Sequence, residues 1–80
     1  MNEVEILARM KPILEDVLDI SIQELKPEET AADYEGWDSL AHITIIACME
    51  KEFSTSFTLS EVKSLENIKG FVELVKSKIS

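Results

Sequence analysis

"GWDSLAHITIIACMEKEF", residues 36–53, decides how the rest of the chain is read. A glycine-containing loop gives way at Asp38 or Ser39 to an apolar run that reaches Phe53 without another glycine or proline. Asp and Ser are preferred helix caps, so a helix is expected to start there. At about 100° per residue, Ile43, Ile46, Met49 and Phe53 fall within one wedge of about 120°, which is expected to face inward. Ala41, Thr44, Cys48 and Lys51 fall on the other side. For Ser39 two readings stand at this point: a first-turn cap, or a functional hydroxyl.

Upstream, Asn2 can cap a first helix, with Glu5 completing a capping box. Ile6, Met10, Ile13, Leu14 and Val17 recur at helical spacing, giving a helix over about residues 3–18. Pro12 removes a backbone donor and is expected to kink or split it. Residues 19–38 read as a long loop broken by Pro27 and Gly36, with Ile20, Ile22, Leu25 and Tyr34 pinning it to the core. A loop of about 20 residues in a small domain is often functional. Downstream, "STS" at 54–56 ends the second helix. A short helix is expected over about 60–64. A last helix starts near Asn67, where Ile68, Phe71, Val72, Val75 and Ile79 keep the helical register. The fold class is all-α: a small four-helix bundle of three main helices and one short one, with a long loop between the first and second.

The chain has 80 residues, enough for one small domain over 1–80, and 45% of them are hydrophobic, enough for a core. Two glycines and two prolines argue against disorder and against turn-rich β folds. Sixteen acidic residues against eight basic ones leave a net charge of −8. Nucleic acid and anionic membrane surfaces are therefore excluded as partners, and a basic patch on another protein is the natural complement. The single cysteine, Cys48, rules out an internal disulfide, and with one histidine it cannot build a zinc site. The N-terminus lacks the pattern of a secretory signal, and no apolar run approaches the roughly 18 residues of a membrane span. A cytoplasmic location is expected.

Enzyme chemistry is not supported. Gly36-Trp37-Asp38-Ser39-Leu40 is not a Gly-x-Ser-x-Gly elbow. His42, the one candidate base, sits on the same helix as Ser39, and nothing supplies an oxyanion hole. Glu28 and Glu29 belong to an acidic, solvated loop. Trp37 reads as core or rim packing, and Cys48 as a small residue near the helix surface.

The stretch quoted above resembles the phosphopantetheine attachment region of acyl carrier proteins. The shared features are Gly36, the triplet Asp38-Ser39-Leu40, the acidic Glu50 and Glu52, and the closing Phe53. Length, acidity and helix order extend the resemblance over essentially the whole chain. It implies that Ser39 carries 4′-phosphopantetheine through a phosphodiester, and that the arm's thiol, not Cys48, holds acyl groups as thioesters. A phosphopantetheinyl transferase would read Asp38 and Leu40. Acyl-transferring and synthase enzymes with basic docking patches would be the other partners of a discrete, monomeric carrier. A helix start suits the phosphate, because its free N–H groups and dipole favour an anion.

The sequence also departs from that family. Carriers of primary fatty acid synthesis usually have acidic residues immediately after the position of Leu40 and three further on. Here those places hold Ala41 and Thr44. Trp37 stands where a small residue is common, and Ile45 is placed at the edge of the exposed face. These departures point to a specialised polyketide, peptide or saccharide-modifying pathway. The alternative is a helical adaptor of the same fold, with no arm and with Ser39 only a cap.

Overall fold

A computed structural model describes residues 2–79. It contains four α-helices: α1, Glu3–Leu18; α2, Ser39–Glu52; α3, Leu59–Lys63; and α4, Ile68–Ile79. The order and approximate ends agree with the sequence-based expectations. Among the described residues the only β pairing is one isolated bridge between Thr30 and Asn67.

α1 begins as its capping box dictates. The Asn2 side chain accepts from Glu5 N–H at 2.9 Å, and the Glu5 carboxylate accepts from Asn2 N–H at 3.4 Å. Pro12 lies inside an unbroken helix, so it does not split α1. The helix ends at Asp19, whose positive φ of 55° forms a left-handed C-cap. Ile6, Met10 and Leu14 are fully buried, while Ile13 and Val17 lie at the core's edge.

The connection from α1 to α2 is long but tightly held. Ile22 and Leu25 are buried, and Ile20 and Tyr34 pack beside them. Glu15 accepts from Ile22 N–H at 2.9 Å, tying the loop back to α1. Lys11 donates to the Gln23 carbonyl at 3.3 Å. A 3₁₀ turn at Ala31–Asp33 breaks the loop; Asp33 Oδ2 accepts from Thr30 N–H at 2.8 Å, and Asp33 N–H donates to the Thr30 carbonyl at 3.0 Å. At its far side the loop caps α4. Ile68 N–H donates to the Glu29 carbonyl at 2.9 Å, and Lys69 N–H to the Pro27 carbonyl at 2.8 Å. Two of the N–H groups that a helix start leaves without partners are thus satisfied by the loop. Asn67 supplies a third partner through Gly70 N–H at 2.8 Å.

α1 packs chiefly on α2 and then on α4. From α4 come Ile68, Phe71, Val72 and Val75, all buried. From α2 come Ile45, Ile46 and Met49, with Phe53 just beyond its end. Three expectations for α2 are corrected here. Ala41, assigned to the outer side, is half-buried and packs against the core. Ile43, assigned to the inward wedge, is 64% exposed, and Ile45, assigned to the exposed edge, is fully buried. The buried arc is turned by roughly 40° from the expected one, or less than half a residue step. Ile43, Ile45, Ile46, Ala47 and Cys48 nearly surround the axis, so apolar spacing alone could not set the phase. The half-buried His42 lies inside the true arc and gave no hydrophobic signal.

The phase is testable. Ile45→Ala removes a fully buried side chain and is expected to cost about 2–5 kcal/mol. Ile43→Ala, at an exposed site, is expected to stay within about 0.5 kcal/mol. Urea denaturation of both variants reads the difference, and equal losses would contradict the packing described.

Candidate functional site

The start of α2 is built by three neighbours of Ser39. Gly36 adopts a φ of +86°, a region that side-chain-bearing residues rarely enter, and Asp38 N–H closes the turn on the Gly36 carbonyl at 3.0 Å. Asp38 is the N-cap: its Oδ1 accepts from Ala41 N–H at 2.8 Å. Ser39 is therefore the first helical residue and not the cap. Its side chain is exposed, and its hydroxyl makes no hydrogen bond among the described residues. The N–H groups of Ser39 and Leu40 belong to the first turn, and Asp38 does not cap them.

Trp37 fixes the direction from which the chain enters α2. Its half-buried ring lies 5.8 Å from Tyr34, 5.9 Å from Phe71 and 6.2 Å from His42, centroid to centroid. Its indole N–H donates to His42 Nδ1 at 3.2 Å. Sequence reading allowed Trp37 only core or rim packing; the structure shows it linking loop, α2 and α4. That bond occupies His42 Nδ1, and Ser39 and His42 share no hydrogen bond. Tyr34 in turn donates from its hydroxyl to Glu29 Oε1 at 2.5 Å. Burial pushes the Tyr34 phenol well above its usual range, and the Glu29 carboxylate adds to the shift. The phenol consequently remains a donor under all ordinary conditions.

Ser39 opens on a groove of about 680 Å³ between α2 and the α3 region. Trp37, His42 and Ile43 form one side with Ser39 and Asp38. Ala31, Lys63 and Leu65 close the other. The contributions of Lys63 and Leu65 were not legible in the sequence, because they depend on where the short helix folds back. Ile43 on the groove is 64% exposed, and Leu40, next to Ser39 in the chain, is 74% exposed.

The acids named earlier play different parts. Glu50 is half-buried, and its Oε2 accepts from Phe57 N–H at 2.7 Å, fastening the α2–α3 turn. Glu52 pairs with Arg9 across to α1 at 3.5 Å. Neither is the unengaged patch charge that the sequence suggested. Among the described residues no group of three or more His, Cys, Asp or Glu is placed to hold a metal. No helix there is long and apolar enough to cross a membrane.

An exposed, uncommitted hydroxyl at a helix start, facing a partly apolar groove, fits a covalent arm joined through phosphate. The family model for the phosphopantetheine attachment site matches residues 8–75. The chain belongs to the acyl carrier protein family. An acyl carrier protein of Thermosynechococcus vestitus is 28% identical over 80 residues, covering 100% of this chain and 99% of that one. One from Nitratidesulfovibrio vulgaris is 30% identical over 70 residues, covering 88% and 92%. The solution structure of a holo acyl carrier protein from Geobacter metallireducens superposes with a TM-score of 0.83 at 33% identity, covering 91% of this chain and 84% of that one. Proteins of this family are carriers and not catalysts, and their covalent cofactor is 4′-phosphopantetheine.

One wall of the groove depends on an acid. Glu61 Oε1 accepts from Thr58 N–H at 2.8 Å and from Lys78 Nζ at 2.9 Å, joining α3 to α4. The Thr58 N–H, aided by Lys78, holds the Glu61 carboxyl below the usual glutamate range. A depressed carboxyl pKa stabilises the fold above the unfolded value and loses that effect as pH falls through the folded one. Acid titration followed by amide NMR should therefore show Thr58 and Glu61 shifting together at a pH below the ordinary glutamate midpoint. A midpoint at the ordinary value would contradict the cap.

Proposed function

We propose that Ser39 is the attachment site of the arm and that the chain carries acyl groups for a specialised pathway. The observation that carries the first part is the division of labour at the start of α2. Asp38 does the capping, which leaves the Ser39 hydroxyl exposed and unbonded at a turn with N–H groups to spare. When bound, the arm supplies a terminal thiol that holds an acyl group as a thioester. The chain's own residues position it: Gly36 and Trp37 aim the helix start, and Asp38 keeps the first turn wound. Leu40, exposed beside Ser39, is available to the transferase. The adaptor reading, in which Ser39 serves only as a cap, loses its physical motive because Asp38 holds that role.

The second part rests on the exposed face of α2. Leu40, Ile43, Thr44 and Ala47 are exposed there and uncharged, with the exposed Lys51 one turn beyond Ala47. Thr44 turns its hydroxyl back to the Leu40 carbonyl at 3.0 Å. With Ile45 buried, Ile43 is the isoleucine this face presents to a partner. Such a face binds partners through central apolar anchors more than through charge, so its encounters depend weakly on salt.

Ser39→Ala is expected to abolish the mass gain on treatment with coenzyme A and a phosphopantetheinyl transferase. Stability should change by less than about 0.5 kcal/mol, since no cap or buried contact is lost. Intact-mass spectrometry and thermal unfolding read the two outcomes, and a variant that still gains the arm would refute the site. For the pathway, holo-protein is expected to be loaded slowly by a fatty acid synthase acyltransferase. Thr44→Glu with Ala47→Glu should speed loading in a salt-sensitive manner, as steered encounter does. Unmodified protein loaded as fast as a fatty acid synthesis carrier would count against a specialised pathway.

A further inference from the structure

Lys63 is the cation of the groove that Ser39 opens on. It is exposed at the last turn of α3, and among the described residues it has no ion pair or hydrogen bond. Of the other cations, Arg9 pairs with Glu52, Lys69 with Glu73 and Lys78 with Glu61, whereas Lys26 and Lys51, like Lys63, have no ion pair among the described residues. What distinguishes Lys63 from those two is that it lines the groove of Ser39. The other charged group lining the groove is Asp38, which carries the same sign as a phosphodiester and repels one.

We propose that Lys63 is the counter-cation of the arm's phosphodiester, and so a positioning residue that leans the root of the arm across the groove toward α3. The inference rests on the reading of Ser39 as the attachment site. A phosphodiester formed there has its phosphorus one bond from the Ser39 oxygen, and Ser39 and Lys63 line the same groove. The thiol and any acyl group lie at the far end of a long flexible chain, so an anionic acyl terminus is the less natural partner. A flexible lysine stem can reach across an open groove, and an ammonium serves a phosphate as a mobile point charge. The pairing also offsets the repulsion from Asp38. It favours exit of the arm over Leu65 and Trp37 rather than away from the bundle.

The test uses unacylated holo-protein, in which the phosphodiester is the sole anion of the arm. Intact mass first verifies that wild type, Lys63→Met and Lys63→Arg each carry one arm at Ser39. Phosphorus-31 NMR then reads the diester. Its resonance is expected to shift between wild type and Lys63→Met, and Lys63→Arg is expected to restore the wild-type position. Added sodium chloride should move the wild-type resonance toward that of Lys63→Met and leave the latter in place. Superimposable resonances with the same salt response in wild type and Lys63→Met would overturn the role of Lys63 while leaving the attachment site standing. A wild-type chain that takes no arm at Ser39 would overturn both.

Discussion

The indole of Trp37 is the contact on which the placement of the site depends. It is the last residue but one before α2, and its ring meets Tyr34 of the loop, His42 of α2 and Phe71 of α4. Aromatic packing of this kind buries a large rigid area, and the N–H bond to His42 fixes how the ring lies within it. A long loop could deliver α2 at many angles. With Trp37 seated among three elements, Asp38 and Ser39 have one position relative to α4 and to the groove. The buried arc of α2 follows from the same contact, because His42 must face the indole and Ile45 then faces the core.

The acidic balance has an inward use as well as an outward one. Glu5, Glu15, Asp33, Asp38, Glu50 and Glu61 each accept from a backbone N–H. The Glu5 carboxylate does so at Asn2. Apart from that of Glu15, which ties down the loop beyond the end of α1, these bonds sit at helix starts and at the turns before them, where the backbone leaves donors unmatched and negative charge is favoured. Charged acceptors make shorter and stronger hydrogen bonds than neutral ones. A chain this small has few buried contacts to spare, so carboxylates that order its connections supply part of what a larger core would. The same residues explain why the count of acids overstates the charge free to meet a partner: Glu50 and Glu52 are already engaged within the bundle.

Much of this was legible in the sequence where the signal is local. Asn2 with Glu5, the i, i+3, i+4 register of α4, and the Asp38-Ser39-Leu40 triplet each specify structure over a few residues, and the structure follows them. The apolar residues of the loop marked it correctly as pinned. The phase of α2 was not legible, because five apolar residues, Ile43, Ile45, Ile46, Ala47 and Cys48, spread around its axis and a polar histidine faces inward. The groove was half legible. Ser39 announced itself, but Lys63 and Leu65 reach it only through the fold of the α3 region, which no local pattern encodes. Nor did spacing show that Glu50 would fasten Phe57, since that bond spans a turn whose shape includes the left-handed Ser54.

The capping of α2 by Asp38 separates architecture from occupation. The residue that winds the first turn and the residue offered to solvent are neighbours with no shared duty, so a lineage can change one without paying in the other. A copy of this gene that lost Ser39 would keep the bundle, the groove and the apolar face of α2, and would remain visible to selection as a binding protein. Kinship in shape is therefore a poor witness to cargo. On the proposed reading of Ser39, the hydroxyl beside the cap is the character that distinguishes a working carrier from its silent cousin.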